Sequence, residues 1–227
     1  MYRSHIYDYK ENLAVHLWDS EASKIVTKGL SMMWLLQNRS QLLSHLVEYV
    51  PKILISVIIP CYNQRKYIGD AIASVVHQTW QLWEIIVVDD GSRDKTRVIA
   101  ARHAAVDPRV QVVTQPNAGV AAARNNGWRL GKASLFSFID ADDLWAADKT
   151  ERQLAALRNM PEAGLVYSWY VIIDEKSHIT MQWDGAQFQG DVLGELMREN
   201  FIGNGSAVLV TRQALEDAGG FEPLLHA

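Results

Sequence analysis

The sequence predicts an α/β sandwich built on a mostly parallel central sheet, and three observations carry that expectation. Between residues 53 and 159 of the 227-residue chain, four short apolar runs alternate with four stretches of helical periodicity. That order of elements gives a parallel sheet covered by helices. The first run, Ile53-Leu54-Ile55-Ser56-Val57-Ile58-Ile59, is almost unbroken in apolar character, as strands buried on both faces are. Three of the runs end in polar clusters: Tyr62/Asn63, Asp89/Asp90 and Asp140/Asp142. Parallel strands bring such ends to one edge of the sheet, where open α/β sheets bind ligands.

The elements follow in order. In residues 25–50, Leu30, Met33, Trp34, Leu36, Leu43, Leu46, Val47 and Val50 make one broad apolar helical face. Residues 1–50 are therefore expected to form a helical extension that packs on the main domain or joins a partner subunit. A membrane-surface helix is the alternative, although the segment lacks a dense Lys/Arg face. Pro51 closes the segment, and the main domain is expected over residues 51–227. After the strand over 53–59, Pro60-Cys61-Tyr62-Asn63-Gln64 supplies turn chemistry, and Ile68, Ala71, Ile72, Val75 and Val76 recur at helical spacing. A second strand over 83–88 ends in Asp89-Asp90-Gly91-Ser92, and Asp94 stands at the start of a helix running to 105. A third strand over 109–114 leads through Asn117-Ala118-Gly119 into a helix carrying Arg124, Asn125 and Asn126. The fourth strand, 134–139, leads through acidic residues to a helix over 146–159. Beyond Pro161 the pattern predicts one long strand over 164–173, a turn at Asp174-Glu175-Lys176-Ser177 and a returning strand over 179–183. It then predicts a short helix over 190–198, a glycine-rich loop over 201–206 and a strand over 207–210. A last helix is capped by Thr211 and stopped by Gly219-Gly220.

The organising stretch is Phe138-Ile139-Asp140-Ala141-Asp142-Asp143, an apolar strand that ends in three carboxylates within four residues. Crowded carboxylates repel one another unless a positive charge sits among them. A divalent cation holding a diphosphate satisfies them; a plain helix start, with one Asp as N-cap, is the simpler alternative. A nucleoside diphosphate fits the other clusters. Asp89 or Asp90 can accept from a base N–H, and Tyr62 can pack against the base. Asn63 can hydrogen-bond to it or serve local structure. Asp140 can take a ribose hydroxyl or hold metal through water, and Asp142 can ligate the metal directly, as Mn2+ or Mg2+ requires. Arg124 suits phosphate or base oxygens.

Composition narrows the classes. The chain is 48% hydrophobic and 21% charged with a formal net charge of -4, and no basic stripe recommends a nucleic-acid partner. One cysteine, Cys61, excludes an intrachain disulfide framework, and the seven histidines form no ligand-spaced cluster. No glycine-rich fingerprint follows the first strand, which argues against a dinucleotide site and against a nucleotidyltransferase. No signal peptide opens the chain and no apolar run approaches 18 residues, so a cytoplasmic protein is expected, peripheral to the membrane if its acceptor is lipid-linked.

Five segments in order resemble the large family 2 of nucleotide-sugar glycosyltransferases, which have the GT-A fold. They are Ser56-Val57-Ile58-Ile59-Pro60-Cys61-Tyr62-Asn63, Glu84-Ile85-Ile86-Val87-Val88-Asp89-Asp90-Gly91-Ser92 with Asp94, Asn117-Ala118-Gly119-Val120-Ala121-Ala122-Ala123-Arg124-Asn125, Phe138-Ile139-Asp140-Ala141-Asp142-Asp143 with Trp145, and residues 201–209 with Ala218-Gly219-Gly220-Phe221. The resemblance implies inverting, metal-dependent transfer of a sugar from a nucleotide diphosphate, a UDP-sugar above all, to a glycan or lipid-linked acceptor in polysaccharide synthesis. It implies nucleotide contacts at Pro60, Tyr62, Asn63, Asp89, Asp90, Arg124 and Asp140, and metal contacts at Asp142 and Asp140. The general base of the family follows the Gly-Gly-Phe segment, so it is expected beyond Ala227 and the domain is expected to be incomplete at its C-terminus. Neither Asp217 nor Glu222 matches its position. A donor-binding module without transferase activity, acting as an interaction or regulatory protein, is the competing expectation.

Overall fold

The computed structural model describes residues 3–5, 54–183 and 187–223. The helical extension expected over residues 1–50, and self-association through it, lie outside the described residues except at Arg3–His5.

The four alternating units form as the sequence requires. Strand β2 (Ile55–Cys61) is buried at every position, as is β3 (Trp83–Asp89). Strand β4 (Val110–Thr114) has one face partly open, and β5 (Leu135–Phe138) is again fully buried. These four run parallel in the order β4-β3-β2-β5. Two further strands extend the sheet beyond β5: β9 (Val208–Thr211) pairs antiparallel with β5, and β6 (Leu165–Tyr167) pairs antiparallel with β9, so β9 alone runs against the rest. The central sheet is therefore mostly parallel, as predicted, and has six strands.

Side chains alternate between two cores. Ile55, Val57, Ile59, Ile85 and Val87 point to one face and pack on helices α1 (Ile68–Val76), α2 (Thr96–Val106) and α4 (Lys149–Asn159). Ile58, Ile86, Val88, Phe136 and Phe138 point to the other, against α3 (Val120–Leu130), β9 and α6 (Arg212–Asp217). Burial of both faces explains the unbroken apolar runs. Gly127 of α3 is where that helix meets β2: a Cβ there would stand 2.3 Å from Ile58 Cγ2.

Two expectations need correction. The apolar run over 164–173 is two strands. β6 belongs to the six-stranded sheet, whereas β7 (Tyr170–Ile173) pairs with β8 (Ile179–Trp183) in a second, antiparallel sheet. Ser168 marks the departure, its N–H and Oγ both donating to Ala207 O at 3.1 and 3.0 Å. The helix expected over 190–198 shrinks to α5, Leu193–Leu196. The backbone of β1 (Arg3–His5) adds a third strand to the second sheet by pairing with β7. The turn at 174–177 and the Thr211 cap stand as expected: Thr211 Oγ1 accepts from Ala214 N at 3.2 Å.

Candidate active site

The C-terminal ends of β2, β3 and β5 converge because their registers are level. Cys61 lies opposite Asp89 and Ile58 opposite Phe138. Asp140, two residues beyond Phe138, therefore reaches the edge beside Pro60.

The loops after β2 and β3 are tied to each other. Asn63 takes φ 55, accepts from Arg93 N through Oδ1 at 2.9 Å and donates its own N–H to Ser92 Oγ at 2.9 Å. Thr96 Oγ1 accepts from Gln64 N at 2.7 Å and donates to Asp94 Oδ1 at 2.5 Å, while Asp94 Oδ2 accepts from Arg65 N at 3.2 Å. Burial acts to raise the Asp94 carboxyl, but the hydrogen bonds from Thr96 and Arg65 outweigh it and hold the group below its ordinary range. Asn63 thus serves the loop frame, and the crevice beside it is lined by its neighbours Pro60, Cys61, Tyr62 and Gln64.

Asp89 and Asp90 divide their labour. Asp89 is buried, and its Oδ1 accepts from Ser92 N at 3.1 Å to close a turn. Gly91 makes that turn possible at φ 78, since a Cβ would sit 3.0 Å from Asn117 N. Asp90 lines the crevice and organises its far wall. Its Oδ1 accepts from Ala118 N at 2.9 Å and Gln115 Nε2 at 2.8 Å, and its Oδ2 from Gly119 N at 2.9 Å.

The acidic loop closes the crevice. Asp140, Ala141 and Asp142 line it, with Val120 and Ala123 of α3 opposite. Arg124 Nη2 donates to Asp140 Oδ1 at 2.6 Å, and its guanidinium lies 5.5 Å from the Phe221 ring centroid. Arg124 Nε is buried and has no hydrogen-bond partner among the described residues. Asp143 turns inward instead, its Oδ2 accepting from Ser206 Oγ at 2.5 Å. Burial, reinforced by Asp89, Asp94 and Asp90, pushes the Cys61 thiol up to about 12, and its side chain packs in the core beneath the crevice edge.

A divalent cation can be tested against these residues. Among the described residues, no three carboxylate, histidine or cysteine side chains converge. Asp140 and Asp142 offer two carboxylates at one edge of an open crevice. Mg2+ is held in that way when phosphate oxygens complete its shell, and Mn2+ shares the preference for oxygen. The residues fit a cation bound jointly with a diphosphate.

Sequence reasoning placed Pro60, Tyr62, Asp90, Asp140 and Asp142 together, and they line one crevice. Asp89 and Asn63 stand behind it as supports. It missed Gln64, Val120 and Ala123, although Val120, Ala123 and Arg124 share a helical face at spacings of three and four residues. It also gave Ser206 no role.

A model of the family described as glycosyl transferase family 2 matches residues 56–219, most of the chain. The chain belongs to glycosyl transferase family 2. Among its relatives is TuaG of Bacillus subtilis (strain 168), named for a glycosyltransferase role in teichuronic acid biosynthesis. The two are 44% identical over 104 residues, covering 45% of this chain and 41% of TuaG. WfgD of Escherichia coli, named as a UDP-Glc:α-D-GlcNAc-diphosphoundecaprenol β-1,3-glucosyltransferase, is 36% identical over 126 residues, covering 55% of this chain and 48% of WfgD. This family 2 chain thus spans less than half the length of both relatives. Two solved structures share its fold at 22% identity and a TM-score of 0.56. Staphylococcus aureus TarS 1–349 is matched over 77% of this chain and 52% of its own. The mannosyltransferase PcManGT of Pyrobaculum calidifontis, in complex with GDP-Man and Mn2+, is matched over 75% and 48%. The sandwich is of the GT-A type.

Proposed function

We propose that this family 2 domain binds a UDP-sugar with Mn2+ or Mg2+ and serves an inverting transfer of the sugar to an acceptor hydroxyl in envelope polysaccharide synthesis. The observation that carries the reading is the meeting of Tyr62, Asp90, Asp140 and Asp142 in one crevice at the C-terminal edge of a parallel sheet. Tyr62 is 42% exposed and offers a ring face for the base. Asp90 Oδ2 accepts one loop N–H, and a carboxylate oxygen has a second lone pair for a base N–H. Arg124 engages Asp140 Oδ1, which leaves Oδ2 for a ribose hydroxyl or a metal-bound water. Asp142 is the direct metal ligand. A cation bound there supplies positive charge that stabilises the departing diphosphate. Holding the donor in fixed orientation converts attack by the acceptor hydroxyl into an effectively intramolecular step.

The acceptor proposed is a saccharide on a lipid diphosphate, by analogy with the acceptor in the name of WfgD. The reaction then takes place at the inner face of the plasma membrane. No helix among the described residues is long and apolar enough to cross a membrane. Asp217 and Glu222 do not line the crevice and are not assigned as the general base.

The test is incubation with UDP-glucose, MnCl2 and GlcNAc-diphosphoundecaprenol, reading the anomeric proton of the product by NMR. Any product formed is expected to be β-linked from the α-linked donor and to be lost on adding EDTA. An α-linked product, or transfer indifferent to EDTA, contradicts the inverting metal-dependent reading. Metal-dependent donor binding without transfer to any acceptor favours the donor-binding module instead.

A further inference from the structure

The acidic loop needs a support that its own residues do not provide. Within it, Asp143 N donates to Asp140 O at 2.9 Å and closes a turn. The N–H of Asp140 and the buried carboxylate of Asp143 look elsewhere, and both find Ser206. Its hydroxyl accepts from Asp140 N at 2.9 Å and donates to Asp143 Oδ2 at 2.5 Å. Its carbonyl accepts from the Trp145 indole at 3.0 Å. One residue, 1% exposed, thus holds the beginning, middle and end of the loop.

The support is itself anchored. Ser206 sits in the 3-10 turn Gly205–Ala207. Gln153 Nε2 and Ser168 Oγ both donate to Ala207 O, at 2.7 and 3.0 Å. Lys149 Nζ in turn donates to Gln153 Oε1 at 2.9 Å. On the crevice side, a Cβ at Gly205 would lie 3.1 Å from Arg124 Nη2, the atom that holds Asp140 Oδ1. The turn therefore backs Asp140 twice, through its amide and through its guanidinium partner. A hydroxyl is the group that can accept and donate at one atom in so small a space.

We infer that Ser206 is a positioning residue for the metal-binding loop: its hydroxyl, bonded to Asp140 N and Asp143 Oδ2, sets the spacing of the Asp140 and Asp142 carboxylates that a diphosphate-bound cation requires. This rests on the donor-site reading above. Groups that orient metal ligands from behind typically cost about 10- to 100-fold in metal affinity when removed.

The experiment is calorimetric titration of UDP and of GDP, each with MnCl2, with MgCl2 and without metal, into the unmodified chain and into S206A, S206T and S206V. S206A is expected to weaken metal-dependent nucleotide binding about 10- to 100-fold and to leave metal-free binding of the same nucleotide unchanged. Thr keeps the hydroxyl and Val has the same shape without it, so S206T recovers affinity and S206V does not. Equal affinity in S206A, equal weakening with and without metal, or no difference between S206T and S206V overturns the inference and leaves the donor site standing. Failure of the unmodified chain to bind either nucleotide with either metal overturns both. Where the variants do not fold, amide hydrogen exchange in the unmodified chain decides. Slow exchange of the Asp140 N–H is expected, and exchange at the rate of an exposed amide overturns the inference.

Discussion

Asp90 and Asp142 both carry a carboxylate in the crevice, yet removing them should have different consequences. Asp90 accepts from Ala118 N, Gly119 N and Gln115 Nε2, and it is 4% exposed. Asp90→Ala removes the acceptor from three part-buried hydrogen bonds, each of which contributes about 0.5–1.5 kcal/mol. Urea denaturation is expected to show that loss, and nucleotide binding is expected to fall with it. Asp142 is half-buried and assigned to the cation. Asp142→Ala should therefore abolish Mn2+-dependent nucleotide binding and leave metal-free binding of the same nucleotide unchanged. An equal fall in metal-free binding for Asp142→Ala would move that residue from ligand to scaffold. The residue types of the site were legible in the sequence because carboxylates at strand ends are conspicuous. Their division of labour was not. Asp89 and Asp90 are adjacent, chemically identical and both buried, and only their partners separate them: Asp89 closes the Ser92 turn, whereas Asp90 takes Ala118, Gly119 and Gln115 and lines the crevice. Asn63 likewise shows its structural role only through Arg93 and Ser92, across a gap of about 30 residues.

At the scale of elements, the parallel units were legible because β2, β3 and β5 are buried on both faces and α1 carries one apolar stripe of Ile68, Ala71, Ile72 and Val75. The strand–helix contacts follow from small residues. Gly127→Ala places a methyl group 2.3 Å from Ile58 Cγ2 and 3.1 Å from Val88 Cγ2, against two strands of the central sheet. Alanine favours the helix by about 1 kcal/mol over glycine, but overpacking costs about 1–3 kcal/mol. Net destabilisation is expected by chemical denaturation, and a stabilised variant would show that α3 can lift from the sheet freely. Later elements were harder to read. An apolar run looks the same whether it continues in one sheet or crosses into another, so Leu165–Tyr167 and Tyr170–Ile173 read as one strand. The crossing depends on Ser168 bonding to Ala207, distant in sequence. The strand Arg3–His5 carries no local signal either, since its pairing with β7 is entirely nonlocal.

For the molecule as a whole, one buried lysine sets a pH dependence of stability. Lys149 is 1% exposed, donates to Gln153 and Ser137, and lies 3.9 Å from the Trp145 ring centroid. Burial pushes its ammonium well below the ordinary value of 10.5. The unfolded chain then binds a proton that the folded chain does not, so stability rises with pH toward 10.5. The Cys61 thiol works the other way: raised from 9.0 to about 12 in the folded chain, it makes stability fall above pH 9. Below pH 9, where the thiol is protonated in both states, the lysine is expected to give the rising slope of these two, at most about 1.4 kcal/mol per pH unit. Lys149→Met should flatten it in urea denaturation series, and an unchanged slope would place the titrating group elsewhere. The central claim concerns the crevice that this frame presents, and calorimetric titration of UDP-, GDP- and dTDP-sugars with and without Mn2+ tests it most directly. The account predicts metal-dependent binding of one nucleotide class, UDP-sugars, that disappears in Asp142→Ala. A folded chain that binds none of them, or that binds equally well without the metal and without Asp142, would contradict it.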